Sequence, residues 1–218
     1  MTIAIITDTD SSLPPTLAEK YHIQQVPISI QFGEEVFYTG IDINDEQVFK
    51  RIDMEGKLPT TAAPSPGSFV NAYKQAFEED GIEAVICFCV SSEISATYSA
   101  AKLAAQEFPH KRIEVVDTRS LTMGQGFMAI AAVEALQQGA SIEDALTAAM
   151  DTGSRAHVYG ALATLKYLSM SGRVSHLAAG MAGMLHIKPI LAMQNGKLDL
   201  LEKVRSEERR VGKECRSR

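Results

Sequence analysis

Several absences limit what this sequence can encode. Among its 218 residues, no apolar run approaches the roughly 20 residues that a membrane-spanning helix needs. The start, MTIAIITDTDSS, lacks the basic region that opens a signal peptide. The net charge is −6, so the chain as a whole does not attract nucleic acid or an anionic membrane surface. We expect a cytoplasmic protein without a transmembrane segment. A transient encounter with a membrane surface is compatible with this prediction.

The sequence also lacks the motifs of several enzyme classes. There is no G-x-x-x-x-G-K-[ST], no G-x-G-x-x-G after a strand and no H-E-x-x-H, so nothing supports a nucleotide site or a zinc protease. The five histidines are scattered, without a pair at metal-ligand spacing. Cys87 and Cys89 alternate with apolar residues, so we expect both thiols in the core. The sequence therefore predicts neither a metal site nor a cofactor.

The first 155 residues alternate between short apolar runs and helical segments. A composition of 45% hydrophobic and 22% charged residues is typical of a globular protein with one or two domains. The runs TIAIITD, AVICFCV and RIEVVD are short and continuous, which favours strands buried on both faces. We predict an α/β domain over residues 1–155, with a mostly parallel sheet covered by helices on both faces.

The texture of the sequence changes after residue 155. A helix-like segment, a Gly-Arg turn and a Gly/Ala/Met-rich helix precede the runs KPILAM and KLDLLEKV, which Asn195-Gly196 joins as a hairpin. We predict the start of a second α/β domain over residues 156–205. Residues 206–218, SEERRVGKECRSR, hold five basic residues, three acidic residues and one aliphatic residue, Val211. We expect a non-native or disordered tail there, with a natural basic tail as the alternative.

Polar residues follow three predicted strands at their carboxyl ends. They lie at residues 7–12, 90–95 and 117–120, and the stretch VSSEIS is rich in hydroxyls. In open α/β sheets this edge is where ligands bind. Ser92 or Ser95 could cap the next helix, or the hydroxyls could donate to an anionic oxygen near the helix N-terminus. These residues alone leave both interpretations open, although their coincidence favours one shared site.

An enzymatic interpretation uses the same residues. A small hydrolase or phosphotransferase would combine Ser92, Ser95 or Thr118 with Asp8 or Asp117. A Ser-His-Asp hydrolase needs a base held beside its nucleophile, and no G-x-S-x-G elbow is present to support one. Hydroxyls without an obvious base are better suited to holding an anion than to activating a nucleophile.

Seven segments share their order and spacing with a known family. They are IAIITDTDSSLP, VPISIQFGEEVFYTGIDI, LPTTAAPSPGSF, VSSEISATYSAA, VVDTRSLTMGQG, LKYLSMSGRVS and IKPIL. From Thr2 to about Arg205 the chain resembles the DegV family of bacterial fatty acid-binding proteins. The resemblance implies a two-domain α/β protein that buries one long-chain fatty acid in an apolar tunnel. It also implies a non-enzymatic binding subunit that presents the carboxylate to a separate fatty acid kinase, for phospholipid synthesis.

The resemblance further implies which residues form the site. Thr61 stands at the threonine of the family's T-S-Q-P-S loop, and Ser92 and Ser95 stand in its serine motif. These hydroxyls would bind the fatty acid carboxylate, with Arg205 close to the head group. Arg173, in SGR where the family has G-G-R, would face the kinase, and its alternative is a solvated loop arginine.

The sequence departs from the family pattern in two ways. Ala62 and Ala63 replace a serine and a glutamine. Ser171 replaces a glycine, so the loop at Ser171 is expected to depart from the family's conformation. Family members also continue past this point, and a histidine from that part often helps to bind the head group. A third hypothesis is therefore an inactive truncated copy with exposed apolar surface and weak lipid binding.

Overall fold

The structure is a computed structural model that describes residues 2–163, 168, 171–174 and 188–204. The chain divides into two compact units, Met1–Ala156 and His157–Arg218, which are described separately below. The predicted tail and the predicted Gly/Ala/Met-rich helix lie outside the described residues. The extent of the second domain stays a prediction.

The first unit alternates strands and helices along the chain. In order they are β1 (Thr2–Asp8), a 3₁₀ turn (Thr9–Ser11), α1 (Pro15–Lys20), β2 (Ile23–Val26), β3 (Ser29–Phe32), β4 (Glu35–Tyr38), α2 (Asp45–Glu55), β5 (Thr60–Ala62), α3 (Pro66–Glu78), β6 (Ile82–Cys89), α4 (Thr97–Ala105), β7 (Arg112–Asp117), α5 (Met123–Gln137) and α6 (Ile142–Arg155).

The main sheet has the strand order β2-β1-β6-β7, and all of its pairings are parallel. The register aligns Ile6 of β1 with Cys87 of β6, and Phe88 of β6 with Val116 of β7. The chain moves from β1 to β2 on one side and later returns to β6 on the other. This reversal creates a switch point between the carboxyl ends of β1 and β6. The predicted parallel sheet is confirmed.

Helices cover both faces of this sheet. On one face Ile86 and Phe88 pack with Met128 of α5 and Ala145 of α6. On the other face the Cys87 and Cys89 thiols join a cluster with Phe69 and Tyr73 of α3 and Ala101 of α4. The strand is apolar without interruption because successive side chains enter opposite cores. Both cysteines are 0% exposed, which confirms their predicted place in the core.

A small antiparallel sheet with the order β4-β3-β5 is also part of the first unit. Gly33 turns the β3–β4 hairpin with a φ of 61°, as the sequence predicts. The segment LPTTAAPSPGSF contains three prolines and has the composition of a loop, but Thr60–Ala62 forms β5 and Thr61 pairs with Ile30. This pairing partner lies about 30 residues away, so local sequence signals do not reveal it.

Hydroxyl and amide side chains begin several helices. Asn44 forms a capping box with Gln47 at the start of α2, and Ser141 accepts from the Asp144 N–H at 3.1 Å in α6. Helix α3 begins at Pro66. Ser65 caps it and proline fits the first helical position.

The described part of the second unit contains β8 (Tyr159–Ala161), β9 (Lys188–Gln194) and β10 (Lys197–Val204), in an antiparallel sheet of order β10-β9-β8. The predicted hairpin is confirmed, with positive φ at Asn195 and Gly196. Tyr159–Ala161, at the start of the region with a helix-like segment, forms β8 because it pairs with the distant β9. Across the ranges that the structure describes, no helix is long and apolar enough to span a membrane.

Candidate functional site

The polar ends of three strands meet at one edge of the main sheet. We call this the polar edge and define it as residues 7–12, 90–95 and 117–122. The Ser91 N–H donates to the Ser120 carbonyl at 2.9 Å, and the Thr118 N–H donates to the Cys89 carbonyl at 3.1 Å. The Thr122 N–H donates to the Asp10 carbonyl at 2.8 Å. Three segments far apart in sequence are therefore hydrogen-bonded to one another at the switch point.

Asp8 is the buried acidic residue of the polar edge and is 0% exposed. Its carboxyl oxygens accept from the Val90 N–H at 2.8 Å and the Asp10 N–H at 3.0 Å. Burial, with a smaller contribution from the charge of Asp10, raises the pKa of Asp8 to about 7. The hydrogen bonds to its carboxyl group lower this pKa but do not outweigh burial. Asp8 therefore changes its protonation near neutral pH.

Gln125 of α5 lies beside Asp8 and is also 0% exposed. Its Nε2 donates to Thr7 Oγ1 at 2.9 Å and to the Phe88 carbonyl at 3.2 Å. Its Oε1 is buried and has no hydrogen-bond partner among the residues that the structure describes. Gln125 was not among the residues predicted for the site, although a glutamine inside the apolar stretch MGQGFMAIAA is a signal for a buried polar contact.

The side chain of Ser92 is hydrogen-bonded across the polar edge to the side chain of Asp117. Its Oγ donates to Asp117 Oδ2 at 2.5 Å, and its N–H donates to Asp117 Oδ1 at 3.1 Å. The Arg119 N–H donates to the same Oδ1 at 3.0 Å. The carboxylate of Asp117 thus holds the loop after β6 against the end of β7.

Ser95 lies just before α4. Its Oγ lies 2.8 Å from Thr97 Oγ1 and accepts weakly from the Thr97 N–H at 3.3 Å. The N-cap position of α4 is occupied by Ala96, which makes no side-chain cap. Ser92 does not cap α4, since its hydroxyl is bound to Asp117, whereas Ser95 makes a cap-like contact with the first turn through the Thr97 N–H.

Thr61 lies on the small sheet rather than on the polar edge. Its neighbour Ala62 pairs with Ser29, the residue after Ile28. The Ile28 N–H donates to Thr9 Oγ1 at 2.9 Å, which links this sheet to the end of β1. The small sheet is therefore attached to the polar edge through Thr9.

The two arginines suggested by the family resemblance belong to the second unit. Arg173 is exposed, and its guanidinium donates to the Ser171 carbonyl at 2.7 Å. Gly172 supplies the positive φ of this turn, so Ser171 adopts no strained backbone conformation. Arg205 lies outside the described residues. The roles of Thr61, Ser92, Ser95, Arg173 and Arg205 in binding all stay predictions.

The chemistry available at the polar edge is that of hydrogen bonding. Hydroxyls, backbone N–H groups and acidic side chains surround the switch point, with the start of α4 beside them. In the part of the chain that the structure describes, no group of three or more His, Cys, Asp or Glu residues is arranged to hold a metal ion. This arrangement can bind a small polar head group.

Comparisons with known proteins extend over nearly the whole chain. The model of the family described as "Uncharacterised protein, DegV family" matches residues 2–214. A DegV domain-containing protein of Caldanaerobacter subterraneus subsp. tengcongensis is 32% identical over 209 residues, which cover 96% of this chain and 74% of that relative.

Solved structures share the fold. A DegV family protein from Thermus thermophilus, described by its fatty acid binding, has a TM-score of 0.87 at 31% identity and is matched over 100% of this chain and 78% of that one. DegV of Bacillus subtilis, described as a fatty acid binding protein, has a TM-score of 0.87 at 28% identity, with 99% and 76% covered. A stearic acid-binding protein from Eubacterium ventriosum has a TM-score of 0.85 at 27% identity, with 98% and 76% covered. This chain therefore belongs to the DegV family.

Proposed function

We propose that this protein binds a long-chain fatty acid and holds its carboxyl group at the polar edge. The observation that carries the proposal is the group of hydroxyls at the switch point of a fold shared with fatty acid-binding proteins. Ser92 and Ser95 lie where the family's serine motif is expected, at the carboxyl end of β6. In α/β proteins this edge is where ligands bind.

The two ends of a fatty acid need different surroundings, an apolar tunnel for the acyl chain and hydrogen-bonding side chains for the carboxyl group. Its chain gains free energy by leaving water, at about 0.8 kcal/mol per buried CH₂ group, so an apolar tunnel supplies most of the affinity. Its carboxyl group must keep hydrogen bonds, since a buried polar group without partners is costly. Thr61, Ser92 and Ser95, together with Arg205, are the residues that we assign to the carboxyl group.

The proposed physiological role is that of a binding subunit in the cytoplasm. A separate fatty acid kinase would phosphorylate the presented carboxyl group, and the acyl phosphate would enter phospholipid synthesis. Arg173, which is exposed in its turn, is assigned to contact with this kinase. No cofactor is assigned to the protein itself.

Direct titration tests the binding proposal. Radiolabelled hexadecanoic acid should bind the wild type at one molecule per chain. Thr61→Ala and Ser92→Ala should each weaken binding roughly tenfold, because each variant removes one hydrogen bond to the head group. Ser154→Ala on α6 is the matched control, since its hydroxyl donates to the Asp151 carbonyl of the same helix. Equal affinity of all four proteins would reject these site assignments.

Phosphorylation tests the partner proposal separately. With a fatty acid kinase and ATP, the protein should yield acyl phosphate, and without the kinase it should yield none. Arg173→Ala should slow this reaction without changing fatty acid affinity, because the side chain is assigned to the partner. Arg155→Ala, another exposed arginine, is the control. A parallel loss of affinity and phosphorylation in Arg173→Ala would contradict the assignment.

An enzymatic alternative keeps one supporting observation, the 2.5 Å hydrogen bond between Ser92 Oγ and Asp117. A hydrolase could use Asp117 to take the serine proton. A carboxylate is a much weaker base than the imidazole that serves this role in Ser-His-Asp enzymes, so we rank this candidate second. It predicts turnover of a fatty acyl ester by the protein alone, abolished by Asp117→Asn.

A further inference from the structure

The single proton of the Ser92 hydroxyl is directed to Asp117 in this structure. A serine hydroxyl has one proton and two lone pairs. The Oγ–Oδ2 distance of 2.5 Å is typical of a strong, charge-assisted hydrogen bond. While this bond persists, Ser92 can offer a ligand only the lone pairs of its oxygen. It then acts as a hydrogen-bond acceptor and not as a donor.

Asp117 is itself fixed by two backbone groups. Its Oδ1 accepts from the Ser92 N–H at 3.1 Å and from the Arg119 N–H at 3.0 Å. These two bonds leave Oδ2 directed at the Ser92 hydroxyl. The carboxylate therefore cannot turn away from Ser92 without leaving two backbone donors unpaired.

The charges of the polar edge act in the same direction. Its ionisable side chains are Asp8, Asp10, Glu93, Asp117 and Arg119, so acidic groups outnumber the one basic group in the described part of this edge. Repulsion between neighbouring carboxylates is already felt here, since Asp10 helps to raise the pKa of Asp8. Among the described groups of the polar edge, a further carboxylate from a ligand would add to this repulsion, whereas a neutral acid would not.

We propose that Asp117 is a positioning residue that makes Ser92 a hydrogen-bond acceptor, so that the polar edge binds the lipid head group as the protonated acid. The inference rests on the proposed function and specifies the form of the ligand. The acid O–H donates to Ser92 Oγ, and the Ser92 O–H donates to Asp117 Oδ2. A neutral head group also lowers the cost of carrying the ligand into an apolar tunnel.

Two lipids without a carboxyl group separate an acceptor from a donor at Ser92. Hexadecan-1-ol has an O–H that can donate to Ser92. Heptadecan-2-one resembles hexadecanoic acid in shape, with a methyl group in place of the O–H, and can only accept. The wild type should bind the alcohol about tenfold more tightly than the ketone, because the ketone leaves the Ser92 lone pair unpaired.

Asp117→Asn should reverse the direction of the Ser92 hydrogen bond. The two backbone donors keep the asparagine Oδ1 in its place, so the Nδ2 amide faces Ser92 Oγ and donates to it. The Ser92 proton is then available to the ligand. Binding of the ketone should improve about tenfold, and the difference between ketone and alcohol should vanish. Ser92→Ala should also remove the difference in affinity, but by weakening the binding of the alcohol. Asp53→Asn on the exposed side of α2 should leave the affinities for both lipids unchanged.

A spectroscopic measurement reports the protonation state directly. Hexadecanoic acid labelled with ¹³C at its carboxyl carbon should give a bound signal at the position of the protonated acid at pH 7. In Asp117→Asn the signal should move to the position of the carboxylate. If that variant fails to fold, two wild-type measurements still test whether the protonated acid is bound. They are the ¹³C signal and the ratio of the ketone affinity to the alcohol affinity.

Three outcomes overturn this inference alone. They are a bound carboxylate signal in the wild type, a wild type that binds the ketone as tightly as the alcohol, and an unchanged lipid preference in folded Asp117→Asn. A wild type that binds none of the three lipids would instead reject the proposed function, and with it the inference. An unchanged lipid preference in folded Asp117→Asn would show that Asp117 does not set the direction of the Ser92 hydrogen bond.

Discussion

At the polar edge, the surroundings of each acidic residue decide its chemistry. Asp8 is fully buried, and its carboxyl oxygens accept from the Val90 and Asp10 N–H groups beside the buried Gln125 amide. Asp117 is partly exposed and accepts the hydroxyl proton of Ser92. Two residues of one type, at the ends of the strands on either side of β6, thus differ in what they can do. Asp8 stores a proton near neutral pH, and Asp117 orients a hydroxyl.

The raised pKa of Asp8 predicts a specific dependence of stability on pH. The folded-state pKa of about 7 lies above the ordinary value of 3.8, so the native state binds this proton more tightly than the unfolded state. The stability linked to Asp8 is therefore fully present below about pH 4, is lost as the pH rises to about 7, and stays constant above that.

Urea unfolding of the wild type and Asp8→Asn at pH 4, 6 and 8 measures this contribution. Relative to the wild type, the variant should gain on the order of a few kcal/mol of unfolding free energy between pH 4 and pH 8, because asparagine has no charge to bury. Asp53→Asn on exposed α2 should show no such trend. The same pH profile for the wild type and Asp8→Asn would contradict the assigned burial of a titrating carboxyl.

The start of helix α5 lies unusually close to the 3₁₀ turn after β1. A Cβ atom added at Gly126 would lie 3.2 Å from the Ser11 carbonyl oxygen and 3.2 Å from Met123 Sδ. The Thr122 N–H also donates to the Asp10 carbonyl. Glycine at this position therefore lets α5 approach the backbone that leads out of β1, where Gln125 reaches Thr7.

Gly126→Ala should consequently destabilise the protein, although alanine favours helices. The carbonyl of Ser11 belongs to the backbone and can give way only if the turn moves, so we expect a loss of about 1 kcal/mol. Gly67→Ala on α3 is the matched control, because its added Cβ would meet only Ser65 Oγ at an ordinary 3.6 Å. The control should gain about 0.5 kcal/mol from helix propensity. Thermal unfolding compares the two variants, and equal gains would contradict the close approach.

For the whole molecule, local periodicity predicts most of the first unit. The alternation of apolar runs and helices gives the parallel sheet, and Asn44, Ser141 and Asn195-Gly196 mark helix starts and a hairpin in agreement with the structure. Strands β5 and β8 were missed because their pairing partners are distant in sequence. Short strands of three residues carry no periodic signal of their own.

The candidate site was only partly predictable from the sequence. Polar residues after three strands indicate a shared edge, because parallel strands end on the same side of a sheet. The pairing of Ser92 with Asp117 depends on the exact register of β6 and β7, which aligns Cys89 with Asp117. The contact of Gln125 with Thr7 depends on how α5 packs on the sheet. Neither contact has a signal within a short stretch of sequence.

Native mass spectrometry of the purified protein, combined with organic extraction, measures whether the chain carries a fatty acid. We expect a complex heavier than the chain by one long-chain fatty acid, and the acid should be recovered in the extract. The extra mass should be lost in the double variant Thr61→Ala/Ser92→Ala and kept in Ser154→Ala. A wild type at the mass of the chain alone, still without ligand after incubation with hexadecanoic acid, would rule out the proposed fatty acid binding.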